Sequence, residues 1–153
     1  VSAAVVYMVS SFYNYPYDVR EPESKALINA AADCISKGGL LRADLFVQES
    51  FDENFKNDFL EKCNFNFASE DFSEKDSQYY LNIKFFEISD VQNPAFFISE
   101  GNSNLVSDCE IQKDKEYEKL AVCNKKRFYS VNGGRQYLIK ILGAVGKTEK
   151  NVR

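Results

Sequence analysis

With 153 residues the chain is one domain long, enough to bury roughly two-thirds of the surface its unfolded form exposes. Hydrophobic residues at 44% and charged residues at 27% exclude a collagen, a coiled coil or a disordered tail, and the longest apolar run, 3–9, is too short to span a bilayer. The formal net charge is −4, and histidine is absent, which removes Ser-His-Asp and Cys-His catalysis, histidine-based ribonuclease chemistry and most zinc hydrolase sites.

Residues 1–9 read as a first strand; the stretch lacks the basic flank of a signal peptide. An aromatic turn or short second strand follows over 10–17, where Pro16 forces an edge or a bend. The clearest helix comes next. Pro22 suits a first helical position, Glu21 and Glu23 favour the positive helix start, and Leu27, Ala30, Ala31, Cys34 and Ile35 repeat at helical spacing up to a Gly38-Gly39 stop. Residues 40–48 fit a helix somewhat better than a strand. The spacing of Phe51, Phe55, Phe59 and Cys63 predicts a second helix over 51–62.

After Cys63 the period changes to two, with Phe65 and Phe67 alternating with asparagine. A charged loop over 70–78 leads to a strand at 79–88 that puts Tyr79, Leu81, Ile83 and Phe85 on one face. A turn at 90–94 and a return strand at 95–99 follow, then a second turn at 101–104. Short strands at 105–112 and 119–123 flank a charged loop at 113–118. Asn132-Gly133 between two apolar runs predicts a hairpin, and 143–146 ends its second strand. The order predicts an α+β fold: two N-terminal helices packed on one face of a curved antiparallel β-sheet, as a single domain over 1–146 with a frayed tail at 147–153.

Cys34, Cys63, Cys109 and Cys123 form no Cys-x-x-Cys pair, and without histidine a zinc site has no ready ligand set. Two helices that each end in a core-facing cysteine favour a Cys34–Cys63 bridge. Cys109–Cys123 would then clip neighbouring strands. Two disulfides imply an oxidising compartment, hence a secreted or extracellular protein. No Asn-x-Ser/Thr triplet occurs, so N-linked glycosylation is not expected.

Charge is unevenly placed. Residues 44–90 sum to −8 and residues 115–153 to +7. The basic segment interleaves Lys125, Lys126, Arg127, Arg135 and Lys140 with Phe128, Tyr129 and Tyr137, a pattern that could engage phosphates and stack on bases. The plainer alternative sends its aromatics into the core and turns its charges toward acidic parts of the fold. A pI near 5.0 disfavours a nucleic-acid partner. The second cluster, Phe12, Tyr13, Tyr15 and Tyr17, suits either a protein interface or a lid over the sheet edge. Adjacent carboxylates such as Asp52/Glu53 and Glu70/Asp71 diverge by about 100° on a helix and do not converge on one substrate. No phosphate-loop glycine signature occurs, and no cofactor or metal is expected.

These features point to a secreted, non-enzymatic binding protein that docks on a protein partner, a host protein being one candidate. Small proteins delivered by a parasite or pathogen fit the description. A carrier of lipid or another small apolar ligand is the first alternative, since a curved sheet with thirteen phenylalanines could enclose a cavity. The element order is also loosely similar to that of the small secreted fungal ribonucleases and the effectors that reuse their fold. That resemblance implies a catalytically inactive nucleic-acid binder, because the family's histidines are missing. The second helix and the cysteine spacing depart from it.

Overall fold

The first long element, helix α1, spans Arg20–Ile35. The computed structural model describes residues 5–6, 17–68, 76–111 and 120–152. Leu27, Ile28, Ala31, Ala32 and Ile35 recur at three- and four-residue steps and make the buried face of α1. The helix stops because Ser36 turns extended, not because glycine caps it. Gly38 and Gly39, with φ of 61° and 80°, instead form the two-residue turn between β1 (Ser36–Lys37) and β2 (Leu40–Leu41).

Residues 40–48 are not a helix. β2 is followed by a single 3₁₀ turn, Ala43–Leu45, and by β3 (Phe46–Val47), which pairs with β4 (Ser50–Phe51). The expected 51–62 helix is shifted and broken. Phe51 belongs to β4, and the Asp52 carboxylate accepts from the Asn54 amide at 2.9 Å to open α2 (Glu53–Asn57). Asp58 separates α2 from α3 (Phe59–Lys62). The four-residue spacing still serves burial: Phe55 and Phe59 are fully enclosed and Cys63 is half-buried. Phe65 and Phe67 alternate with exposed asparagines without joining a ladder.

The principal sheet is built from β5 (Tyr79–Glu87), β6 (Phe96–Gly101), β7 (Val122–Asn132) and β8 (Arg135–Val145), with β1 and β2 added at one side. Its order is β1-β2-β7-β8-β5-β6, and it curls. Every pairing is antiparallel except β2–β7, which runs parallel through Leu40 and Val131. The Asn132-Gly133-Gly134-Arg135 hairpin forms as its sequence predicts, with both glycines at positive φ.

One face of the sheet carries the core. Leu81, Ile83 and Phe85 of β5, Phe96 and Ile98 of β6, and Tyr137, Ile139 and Ile141 of β8 pack against α1 and the segment from Leu41 to Phe67. Phe51 lies between β3 and the sheet, stacked on Phe96 at 4.7 Å and 5.2 Å from Phe85. α1 runs along β7. Asn124 reaches Ser24, Lys126 reaches Asn29 at 2.7 Å, and Ser130 meets Ser36 at 2.7 Å. Twelve helical residues and six strand residues each cover about 18–20 Å, so the two elements keep step.

Three further expectations are corrected. The stretch 105–112 is not a strand: Leu105–Ile111 is helix α4, opened by the Asn102 side chain accepting from the Asn104 amide at 3.1 Å. Residues 147–152 are pinned, not frayed. Asn151 is 2% exposed, its amide group donates to the Gly146 carbonyl, its own carbonyl accepts from Val19, and Val152 bridges Asp18. Val5 and Val6, the two described residues of the expected first strand, are helical and exposed. The rest of 1–16, most of the 70–78 loop and the 113–118 loop lie outside the described residues.

Both expected disulfides are present. Cys34–Cys63 ties the last turn of α1 to the end of α3, and Cys109–Cys123 ties α4 to β7 rather than strand to strand; each pair has its Cα atoms 5.6 Å apart. The molecule is therefore a mixed helix-and-strand fold with two bridges, but its helices are not gathered at the N-terminus. Among the described residues no helix is long and apolar enough to cross a membrane.

Candidate functional site

On the second face of the sheet, among the described residues, only one end is covered by another element. There α4 lays Leu105, Val106 and Cys109 over Tyr80, Ala144 and Cys123. Beyond α4 the pairing register decides which side chains stand together, since directly opposed residues share a face. Arg127 opposes Lys140, Lys140 opposes Lys84, and Lys84 opposes Phe97. One straight row across β7, β8, β5 and β6 therefore holds three cations and a phenylalanine. Neighbouring strands are about 4.8 Å apart, so the three cation-bearing backbones span roughly 10 Å.

Lys125 lies one step along β7 from this row and Tyr129 one step the other way, both on the same face. Lys84, Lys125, Arg127 and Lys140 are all exposed. Tyr129 is 59% and Phe97 45% exposed, large values for aromatic side chains. Beneath them Phe86 and Leu138 are buried, and the Lys140 ammonium stands 4.5 Å from the Phe86 ring centroid. At the β6 edge the Lys56 ammonium lies 4.2 Å from the Phe97 ring centroid.

Among the described residues the ion pairs use other cations: Arg20 with Asp18, Lys25 with Glu21, Arg42 with Asp44, Lys56 with Glu53 and Arg135 with Glu49. No ion pair or side-chain hydrogen bond among the described residues engages the side chains of Lys84, Lys125 or Arg127. Like charges directly opposite in a sheet destabilise it, so this row is a local cost that the core does not require.

The pleat divides the basic residues singled out by sequence. Lys125 and Arg127 point to the open face, whereas Lys126 points to the α1 side and donates to Asn29. Arg135 sits at the hairpin and pairs with Glu49 at 3.0 Å, away from the row. Phe12, Tyr13 and Tyr15 lie outside the described residues; Tyr17 is 41% exposed beside the Asp18–Val152 bridge. Sequence reasoning missed Lys84 and Phe97 as members of one surface. Lys84 sits in the acidic segment, so a sum of charges hides it. Its position between Ile83 and Phe85, like that of Lys140 between Ile139 and Ile141, is the signal that could have found it.

Four carboxyls among the described residues, Asp18, Glu21, Asp44 and Asp90, are favoured as anions by side-chain hydrogen-bond donors. Hydrogen bonds from Arg20 lower the Asp18 pKa, and those from Arg42 lower that of Asp44. Lys25 does the same for Glu21, and the Asn93 side chain for Asp90. A carboxyl stabilised in its ionised form is the opposite of a general acid. Among the described residues no group of three or more potential ligands is arranged to hold a metal.

A separate cleft of about 1000 Å³ opens at the α4 end of the molecule, lined in part by Phe67, Tyr79, Leu105, Asp108, Ala121 and Val152. Most phenylalanines lie elsewhere; Phe55, Phe59 and Phe85 are fully buried in the core. No protein-family model, curated protein or solved structure matches this chain.

Proposed function

We propose that the chain is a secreted, non-enzymatic binding protein that docks on a protein partner through the open face of its sheet. The observation that carries this reading is the pair of exposed rings, Tyr129 and Phe97, set at two borders of a sheet face whose other side is fully packed. Exposed aromatics on a rigid strand lose little conformational freedom on binding and are favoured anchors at protein interfaces. Two disulfides support an oxidising compartment. The lack of histidine and the ionised carboxyls support docking over bond chemistry.

The test is comparative capture. Immobilised oxidised protein should retain a defined protein from candidate extracellular or host material. A Phe97→Ser/Tyr129→Ser variant with an unchanged circular dichroism spectrum should retain about tenfold less, the scale of one lost anchor. Equal capture by the variant sinks the reading. The cleft supports the carrier as a second reading, because its size suits a small ligand. Native mass spectrometry before and after delipidation checks it: a bound apolar mass favours the carrier, and an empty chain removes it.

A further inference from the structure

Resting on the docking reading above, we infer that the partner presents an acidic, extended peptide segment, received by Lys84, Arg127 and Lys140 with Lys125 beside them. The row is arranged to be neutralised from outside. Arg127, Lys140 and Lys84 are forced side by side by the register of three adjacent strands, and no carboxylate among the described residues answers them. Carboxylates laid across the row would convert two like-charge contacts into attractive ones. Arg127 can take a carboxylate with two parallel N–H donors, while the lysines follow as movable point charges.

The remainder of the molecule selects a compact acidic segment over a long polyanion. The four cations count +4 of a total of −4, so the rest of the chain carries −8. The basic patch is roughly 10 Å across the strands and one residue pair along them. A nucleic-acid strand or a sulfated polysaccharide continues its charge past such a patch, over a molecule whose remainder is net acidic. A protein segment can place a few carboxylates and then become neutral or apolar, and Tyr129 and Phe97 are placed to take those apolar neighbours.

The experiment uses the full oxidised chain and four labelled probes of similar length. They are a peptide with glutamate at alternate positions and one phenylalanine, the same peptide with glutamine for glutamate, an oligouridylate and a heparin-derived oligosaccharide. Fluorescence anisotropy is read at about 20 mM and about 300 mM NaCl, which brackets strong and weak screening. The glutamate peptide should bind, weaken with salt, and bind roughly tenfold better than its glutamine counterpart. K84Q/R127Q/K140Q should lose roughly tenfold, and amide shift changes in the wild type should centre on β7, β8 and β5. Tighter binding of the oligouridylate or the oligosaccharide overturns the inference. So does an absence of peptide binding at low salt, equal binding by the charge variant, or shifts centred elsewhere. Capture of the partner separates the two ideas. If Phe97→Ser/Tyr129→Ser loses capture and K84Q/R127Q/K140Q keeps it, docking stands and the acidic segment falls; if both keep it, the docking reading falls as well.

Discussion

Gly143 sits where α1 comes closest to the sheet. A methyl group there would stand 2.5 Å from Ile28 Cγ2, and Ile28 is itself packed in the core. Gly143→Ala should therefore cost about 1–3 kcal/mol, the range for forcing extra volume into a filled interior. Urea unfolding checks it: the midpoint should fall with the slope unchanged, and a loss below about 0.5 kcal/mol would mean that α1 is not seated over β8. Sequence alone assigned this glycine no role beyond ending a strand, because a missing Cβ shows its purpose only when the opposing element is known. Arg20 is a similar case. It is 3% exposed, held by Asp18 and by the Leu120 carbonyl at 2.5 Å, and so joins the start of α1 to the approach of β7. Nothing in the local pattern around residue 20 separates this buried arginine from an ordinary charged helix start.

At the scale of elements, legibility followed the reach of the signal. β5 and the β7–β8 hairpin were plain because alternation and Asn-Gly are local. The Cys34–Cys63 bridge was legible because both cysteines close an apolar helical series. The α4 helix was not: Leu105, Val106 and Cys109 offer barely one turn of helical spacing, and the Asn102-Ser103-Asn104 run serves as a turn and a helix start alike. Its place is fixed by Cys123 and by Asp108, which accepts from the Ala121 amide at 2.9 Å. The two bridges should accordingly differ in effect. With sequence separations of 29 and 14, loop-closure entropy assigns about 3.6 kcal/mol to Cys34–Cys63 and about 3 kcal/mol to Cys109–Cys123. Thermal unfolding should rank C34A/C63A as slightly less stable than C109A/C123A. Amide exchange should rise across α1 and α3 in the first variant and be confined to α4 and the start of β7 in the second. The opposite distribution of exchange would contradict the assigned elements.

Taken as a whole, the molecule holds opposed charge distributions that composition cannot reveal. The candidate face was half legible: Lys125 and Arg127 were singled out, but Lys84, which a linear charge count assigns to the acidic side, joins them only through its pairing with Lys140, 56 residues away in sequence. Two influences then act on Lys84. The chain's distributed −8 favours a cation there, while Lys140, directly opposite, disfavours it. Distance decides between them. Opposed side chains approach within about 5 Å, inside a Debye length of about 10 Å at 0.1 M salt, whereas charges across the molecule are screened. Lys84→Gln should therefore stabilise the fold by about 0.2–1 kcal/mol at low salt, the scale of one cross-strand like-charge contact. The gain should shrink toward zero at about 1 M NaCl, where the Debye length falls to about 3 Å. Paired urea titrations of wild type and variant at the two salt concentrations measure it. A variant less stable than wild type at low salt would show that Lys84 already has a counter-charge in the free protein. A salt-sensitive gain would show that the free protein keeps this row at a cost to its own stability, as expected of a surface selected for what it binds.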